Sequence, residues 1–144
     1  MDDPPEKSHF VMDVSKAPDD YKSKYEAIGG ILSKIVENFD LFEQYKARRI
    51  MQSYLAGIES EYANQGLFTR LKIATIDLAR AQKCDLIYSK ATSQFSTRAN
   101  LKLGFGSARV LDYSTYQNEQ GQRVFTGMSK THQACTLTVK DLRI

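Results

Sequence analysis

The sequence predicts an α/β domain with a mixed (α+β) sheet, and three observations carry that prediction. Helical apolar spacing alternates with short β-rich runs in the order α, β, α, β, α, β, β, followed by a last β-rich segment at 135–139. Residues 50–91 read as strand, helix, strand, the unit that lays two parallel strands side by side. Residues 109–116 alternate in strand fashion and lead through a Gly121 turn into residues 123–126, which reads as an antiparallel hairpin. With 144 residues the chain suits one core.

Residues 1–18 hold all three prolines and several charges, and read as a flexible arm with a short extended piece at 9–14. Asp19 and Asp20 after Pro18 are a helix start. Tyr21, Tyr25, Ile28, Leu32, Ile35, Val36 and Phe39 then recur at helical spacing. Gly29 and Gly30 interrupt that stripe at roughly 1 kcal/mol each, which points to a close helix crossing or a kink. Leu41, Phe42 and Tyr45 close the stripe.

Residues 50–58 form the first strand. Residues 66–83 form the strongest helix, with Leu67, Leu71, Ala74, Leu78 and Ala81 on one face. Residues 85–91 are a strand centred on Leu86 and Ile87. Residues 96–103 are a short helix, and Gly104 sits where a C-terminal glycine belongs.

Composition narrows the functions. Hydrophobic content of 42% and charged content of 26% are ordinary for a soluble domain. The net charge is +3, and no basic stripe is interleaved with aromatics, which disfavours nucleic acid as a partner. The Lys46, Arg48, Arg49 cluster reads as a solvated helix end or loop. Cys84 and Cys135 lack any metal-ligand spacing, so no metal site is expected. They fit reduced thiols in the cytoplasm, although spacing alone leaves a single disulfide open. No apolar run is long enough to cross a membrane, and the acidic, proline-bearing start is not signal-peptide chemistry.

Two motifs carry candidate chemistry. The segment Tyr62-Ala63-Asn64-Gln65-Gly66-Leu67-Phe68-Thr69-Arg70 turns from strand to helix through one glycine. A helix N-terminus presents unpaired N–H groups and the positive end of the macrodipole, so this turn can cradle a phosphate. Thr69 and Arg70 add a hydroxyl and a charge. It is neither a P-loop nor a dinucleotide fingerprint, and a plain turn explains it equally well. The second motif, Ala91-Thr92-Ser93-Gln94-Phe95-Ser96, puts three hydroxyls at the carboxyl end of a strand. They can bind a polar substrate or relay a proton, and Ser93 or Ser96 can equally cap the next helix. His132 reads as a surface or capping residue, and Tyr113 and Tyr116 as packing.

Taken in order, the motifs resemble the GNAT acetyltransferases, and most closely the arylalkylamine (dopamine-type) N-acetyltransferases of invertebrates. The family's acetyl-CoA pattern, roughly (S/D)xxYRGxGIAxxL, resembles SEYANQGLFTRL at residues 60–71, its YRGxGIAxxL part aligning with Tyr62 to Leu71. Its (C/A)TSxxS aligns with ATSQFS at 91–96, its (E/K)xGF with KLGF at 102–105, and DLFEQY at 40–45 also matches. The likeness runs over residues 19–142 and is specific as an ordered set. Ala63 stands for the family's arginine, Asn64 for its first glycine and Phe68 for its small residue.

The resemblance implies an acyl-CoA N-acyltransferase fold lacking its N-terminal strands, with residues 19–144 as a partial domain. It implies acetyl-CoA as co-substrate and a small arylalkylamine as acceptor. Leu55, Ala56, Gly57 and Ile58 would bond the pantetheine arm. The turn from Ala63 through Asn64, Gln65, Gly66, Leu67, Phe68 and Thr69 to Arg70 would hold the pyrophosphate. Thr92 and Ser96 would serve the chemistry. The family's general-base glutamate lies in the N-terminal half, and neither Glu59 nor Glu61 matches it. The strand at 50–58 would then have an open edge, so a homodimer, an aggregation-prone fold or a chain needing its missing half is expected. Two other readings stay open: a catalytically impaired CoA-binding relative or isoform acting through protein contacts, and a plain α/β interaction module.

Overall fold

The computed structural model describes residues 18–54 and 56–143. The expected arm apart from Pro18, the extended piece at 9–14 and Leu55 lie outside the described residues. Helix α1 (Asp19–Lys34) starts on Pro18 with Asp19 and Asp20 in its first turn, where the helix dipole favours acids. It runs unbroken through Gly29 and Gly30. The reason for Gly30 is a loop contact, in place of the expected helix crossing or kink: a Cβ there would stand 2.8 Å from the Tyr116 hydroxyl oxygen. A short α2 (Leu41–Gln44) follows, capped by the Asp40 side chain, which accepts from the Phe42 N–H.

Among the described residues the sheet has four strands, in the order β1-β2-β4-β3. Strand β1 (Ile50–Gln52) lies parallel to β2 (Leu86–Ala91), joined by α3 (Leu67–Ala81), so the strand–helix–strand unit is present. After α4 (Gln94–Lys102) come β3 (Gly106–Asp112) and β4 (Ala134–Asp141), both antiparallel to their neighbours. The helix α4 ends in a Schellman geometry. Gly104 has φ +89°, its N–H reaches the Leu101 carbonyl, and the Phe105 N–H reaches Asn100.

The sheet separates two cores. On one face Ile31 of α1 and Ile35, its C-cap, pack with Leu86, Cys135, Leu137 and Val139. On the other, Ile76 and Ala79 of α3 pack with Ile87, Phe105 and Leu142. Period-two alternation sets this up: along β4, residues 135, 137 and 139 point to α1 while Thr136 and Thr138 point to the α3/α4 layer. Asn100 of α4, fully buried, donates to Thr138 Oγ1 at 3.0 Å, and Thr138 donates on to the Ser89 carbonyl at 3.0 Å. That chain ties α4, β4 and β2 together. Among the described residues no helix is long and apolar enough to cross a membrane.

Three expectations about elements are corrected. The partner of β3 is β4 and not residues 123–126, which form no strand. The turn at 118–122 does form, with Asn118 Oδ1 accepting from the N–H groups of Gln120 and Gln122. Its flanks instead build an aromatic cluster, Phe125 lying 4.9 Å from Tyr113 and 5.7 Å from Tyr116 between ring centroids. The strand expected over 50–58 stops at Gln52. Finally, α3 buries the face opposite to the one expected. Lys72, Ile76 and Ala79 are buried, whereas Leu71 and Leu78 are 48% and 53% exposed.

Candidate functional site

The parallel pair β1–β2 opens into a fork. Its ladder runs from Ile50–Leu86 to Gln52–Tyr88, and the last link is the Ser53 N–H to the Tyr88 carbonyl at 2.8 Å. Strand β2 continues to Ala91, paired with β4 alone. Residues 56–59 belong to no strand, and Ala56 and Gly57 are exposed while Ile58 is half-buried. Beyond Ser53 no ladder joins the two strands among the described residues, and they part at their carboxyl ends, the end where open α/β sheets gather ligands.

The fork leads into the turn before α3. A single 3-10 turn (Ser60–Tyr62) ends at Ala63, whose N–H reaches the Ser60 carbonyl at 3.2 Å. Asn64 at φ +61° and Gly66 at φ +73° then reverse the chain in left-handed geometry. Asparagine tolerates that region better than most side chains, so Asn64 can stand where the resembled family has glycine. Gly66 caps α3 with no side-chain hydrogen bond. Among the described residues no side chain accepts from the N–H groups of the α3 terminus, and Gln65, Thr69 and Arg70 beside it are exposed. Leu67 and Phe68 are half-buried, and the Phe68 ring faces the Lys72 ammonium at 5.7 Å instead of the turn.

The contrast with α4 is direct. Its N-terminus is closed by a capping box: Ser93 Oγ accepts from the Ser96 N–H at 3.1 Å, and Ser96 Oγ accepts from the Ser93 N–H at 3.4 Å. The two hydroxyls also lie 2.9 Å apart. His132 adds to the cap, its Nδ1 accepting from the Gln94 N–H at 3.3 Å while its ring stands edge-on to Phe95. The Ser96 hydroxyl is therefore committed within the cap.

Thr92 is exposed at the end of β2 and lines an open groove of about 1400 Å³ on the α1 side of the sheet. Tyr113, Tyr116 and Phe125 line its aromatic side, and Glu26 and Glu119 also line it. Tyr113 donates to the Thr92 carbonyl at 2.5 Å, which fixes the end of β2 against the loop. Burial pushes the Tyr113 hydroxyl well above the ordinary tyrosine range, so it stays protonated as a donor. Thr92 and Ser96 are not hydrogen-bonded to each other among the described residues: Thr92 faces the groove and Ser96 the cap.

The residue that sequence reasoning missed is Lys72. It is 4% exposed, and its Nζ donates to Ser53 Oγ at 2.8 Å and toward Ser89 Oγ at 3.5 Å. Those serines stand on the two arms of the fork. Burial lowers its pKa below the ordinary lysine value. Nothing in its spacing marks it, because it follows Phe68 by four residues on what reads as the polar face. A second groove of about 870 Å³ follows the outer edge of β1, between Tyr25 and Leu32 of α1 and Gln52 and Tyr54.

No protein-family model matches the sequence, and no curated protein does. Solved structures match by shape. Arylalkylamine N-acetyltransferase 2 from Aedes aegypti superposes with a TM-score of 0.74 at 22% identity, over 90% of this chain and 61% of that one. A mosquito arylalkylamine N-acetyltransferase-like protein, 5b, gives 0.74 at 24% identity, over 83% and 56%. The polyamine N-acetyltransferase of Drosophila melanogaster gives 0.72 at 20% identity, over 89% and 59%. The chain spans about three-fifths of the length of these structures. At such identities the likeness concerns fold. Together with the sheet order and the forked parallel pair, it shows that this chain carries the fold of the GNAT acetyltransferases over part of that domain.

Proposed function

We propose that the chain binds acetyl-CoA along the β1–β2 fork and transfers the acetyl group to a small arylalkylamine. The carrying observation is the continuity of the fork with the uncapped start of α3. One surface thus places the parting strands beside a turn with two left-handed residues and a helix start whose N–H groups have no described side-chain partner. The first suits an amide-bearing arm, the second a pyrophosphate. Backbone amides supply the contacts, so Ala63 in place of arginine removes one charge and leaves the cradle. The structural neighbours named for acetylation of arylalkylamines and polyamines support this reading.

The acceptor amine would enter from the groove beside Thr92. Aromatic walls at Tyr113, Tyr116 and Phe125 suit an aryl group, and Glu26 and Glu119 suit an ammonium. The reaction needs a neutral amine, a stabilised tetrahedral oxyanion and a proton for the departing thiolate. Thr92 stands at the groove to hold the amine, and Ser96 acts through Ser93 to keep that strand end in place. The free Cys84 and the buried Cys135, whose thiol is pushed up to about 11 by burial, suit a reducing cytoplasm.

A second reading is favoured by the edge of β1 that no described strand covers and the groove along it: a CoA-binding relative that works through protein contacts, with a second copy or another chain. Release of free CoA from acetyl-CoA in the presence of tyramine or dopamine separates the two. Amine-dependent release supports the transferase. Binding of CoA without release supports the second reading.

A further inference from the structure

Lys72 is a buried amine in an unusual setting. Its described partners are two serine hydroxyls and the Phe68 ring, and neither described salt bridge involves it. A lysine buried to this degree ordinarily pairs with a carboxylate. Here hydroxyls and a ring face satisfy the ammonium only in part, and desolvation favours the neutral, nucleophilic form. The amine also stands at the vertex of the fork, between Ser53 on the β1 side and Ser89 on β2. With 4% of its surface exposed, it is shielded from reagents in bulk water.

We propose that Lys72 is a self-acylation site, its Nζ accepting the acyl group of an acyl-CoA held in the fork. This rests on reading the fork as the acyl-CoA site. In the step, the Nζ lone pair attacks the thioester carbonyl carbon. The N–C bond forms, the C–S bond breaks, and sulfur leaves with the bonding pair as the CoA thiolate. The proton lost from Nζ passes first to Ser53 Oγ, 2.8 Å away, and neutralises the thiolate. The products are an acetyl-lysine amide and free CoA. The modified side chain is uncharged, which relieves the desolvation that disfavours the ammonium, and it fills the vertex of the fork. Self-acylation would thereby lower the affinity for a further acyl-CoA.

The test is intact-mass spectrometry of the folded full chain after incubation with acetyl-CoA, with peptide fragmentation to place the adduct. Expected is one acetyl group per chain, at Lys72, absent from urea-unfolded protein and from Lys72→Arg that keeps the wild-type circular dichroism spectrum. The acetylated protein should also show a smaller thermal shift with CoA than the unmodified protein. A parallel thermal scan with CoA, which carries no acyl group, reports on the fork itself. If CoA stabilises the fold while Lys72 stays unmodified, or if exposed lysines are acetylated equally fast, the inference is overturned and the acyl-CoA reading stands. If CoA leaves the transition unmoved, both fall.

Discussion

Replacing Gly66 by alanine separates the backbone role of the α3 turn from its proposed ligand role. Gly66 has φ +73°, and a Cβ there would meet no atom within 4 Å. The substitution therefore brings conformational strain and no clash. A left-handed alanine costs about 1–2 kcal/mol. The stiffer unfolded chain offsets roughly 0.4–1 kcal/mol of that. The net loss is about 1 kcal/mol, which lowers Tm by roughly 4 °C in a domain of this size. Gly121 provides a matched control, since it also has φ +73° with open space at its Cβ but lies in the 118–122 turn. Gly121→Ala should lose the same stability. The variants should part on ligand. With CoA at about 100 times the wild-type Kd, Gly121→Ala should gain roughly 2.7 kcal/mol like the wild type. Gly66→Ala should gain far less, because the methyl group enters the open space where a phosphate would sit. Differential scanning fluorimetry reads both effects. Equal CoA shifts in the two variants would refute the cradle, and an undiminished Tm in both would refute the strain argument.

Three further outcomes follow from the same geometry. Ser93→Ala removes the acceptor of the Ser96 N–H at the head of α4 and should cost about 1 kcal/mol in urea unfolding. Lys72→Met should change the pH dependence of stability. Burial lowers the Lys72 pKa, so the folded chain binds fewer protons than the unfolded one between that lowered value and the ordinary 10.5. Wild-type stability should accordingly gain from this group as pH rises through that window, and the urea midpoint of Lys72→Met should lack the gain. The edge of β1 that no described strand covers should make the chain self-associate, and Gln52→Pro, which removes an N–H facing away from β2, should weaken association in size-exclusion chromatography; a stable, compact wild-type monomer would count against the edge as an interface.

What could be read in advance was what local chemistry decides. Ser93 and Ser96 announced a helix start, Gly104 its end and Gly66 the start of α3, and each sits where capping rules place it. What could not be read was decided by distant partners. Residues 123–126 lie nearest to β3 in sequence, but β4 alternates Cys135, Leu137 and Val139 toward one core with Thr136 and Thr138 toward the other, and so fits between β2 and β3. Val124 and Phe125 are consecutive and lack that alternation. Helix α3 carried apolar residues on two faces, and Leu71 and Leu78 made the wrong one look like the core side. Lys72 hid the correct face because a lysine reads as solvent-facing, and its burial depends on Ser53 and Ser89 of other elements. The candidate site shows the same division. Its turn and hydroxyl cluster were visible as motifs, whereas the fork exists only where β1 stops pairing at Gln52 and β2 continues on β4.

The most direct measurement is the thermal transition of the wild-type chain with and without acetyl-CoA. If the fork and the α3 turn form an acyl-CoA site, ligand at about 100 times its Kd should stabilise the fold by roughly 2.7 kcal/mol, with CoA acting similarly. A transition unmoved by millimolar acetyl-CoA would contradict the site and every catalytic role assigned around it.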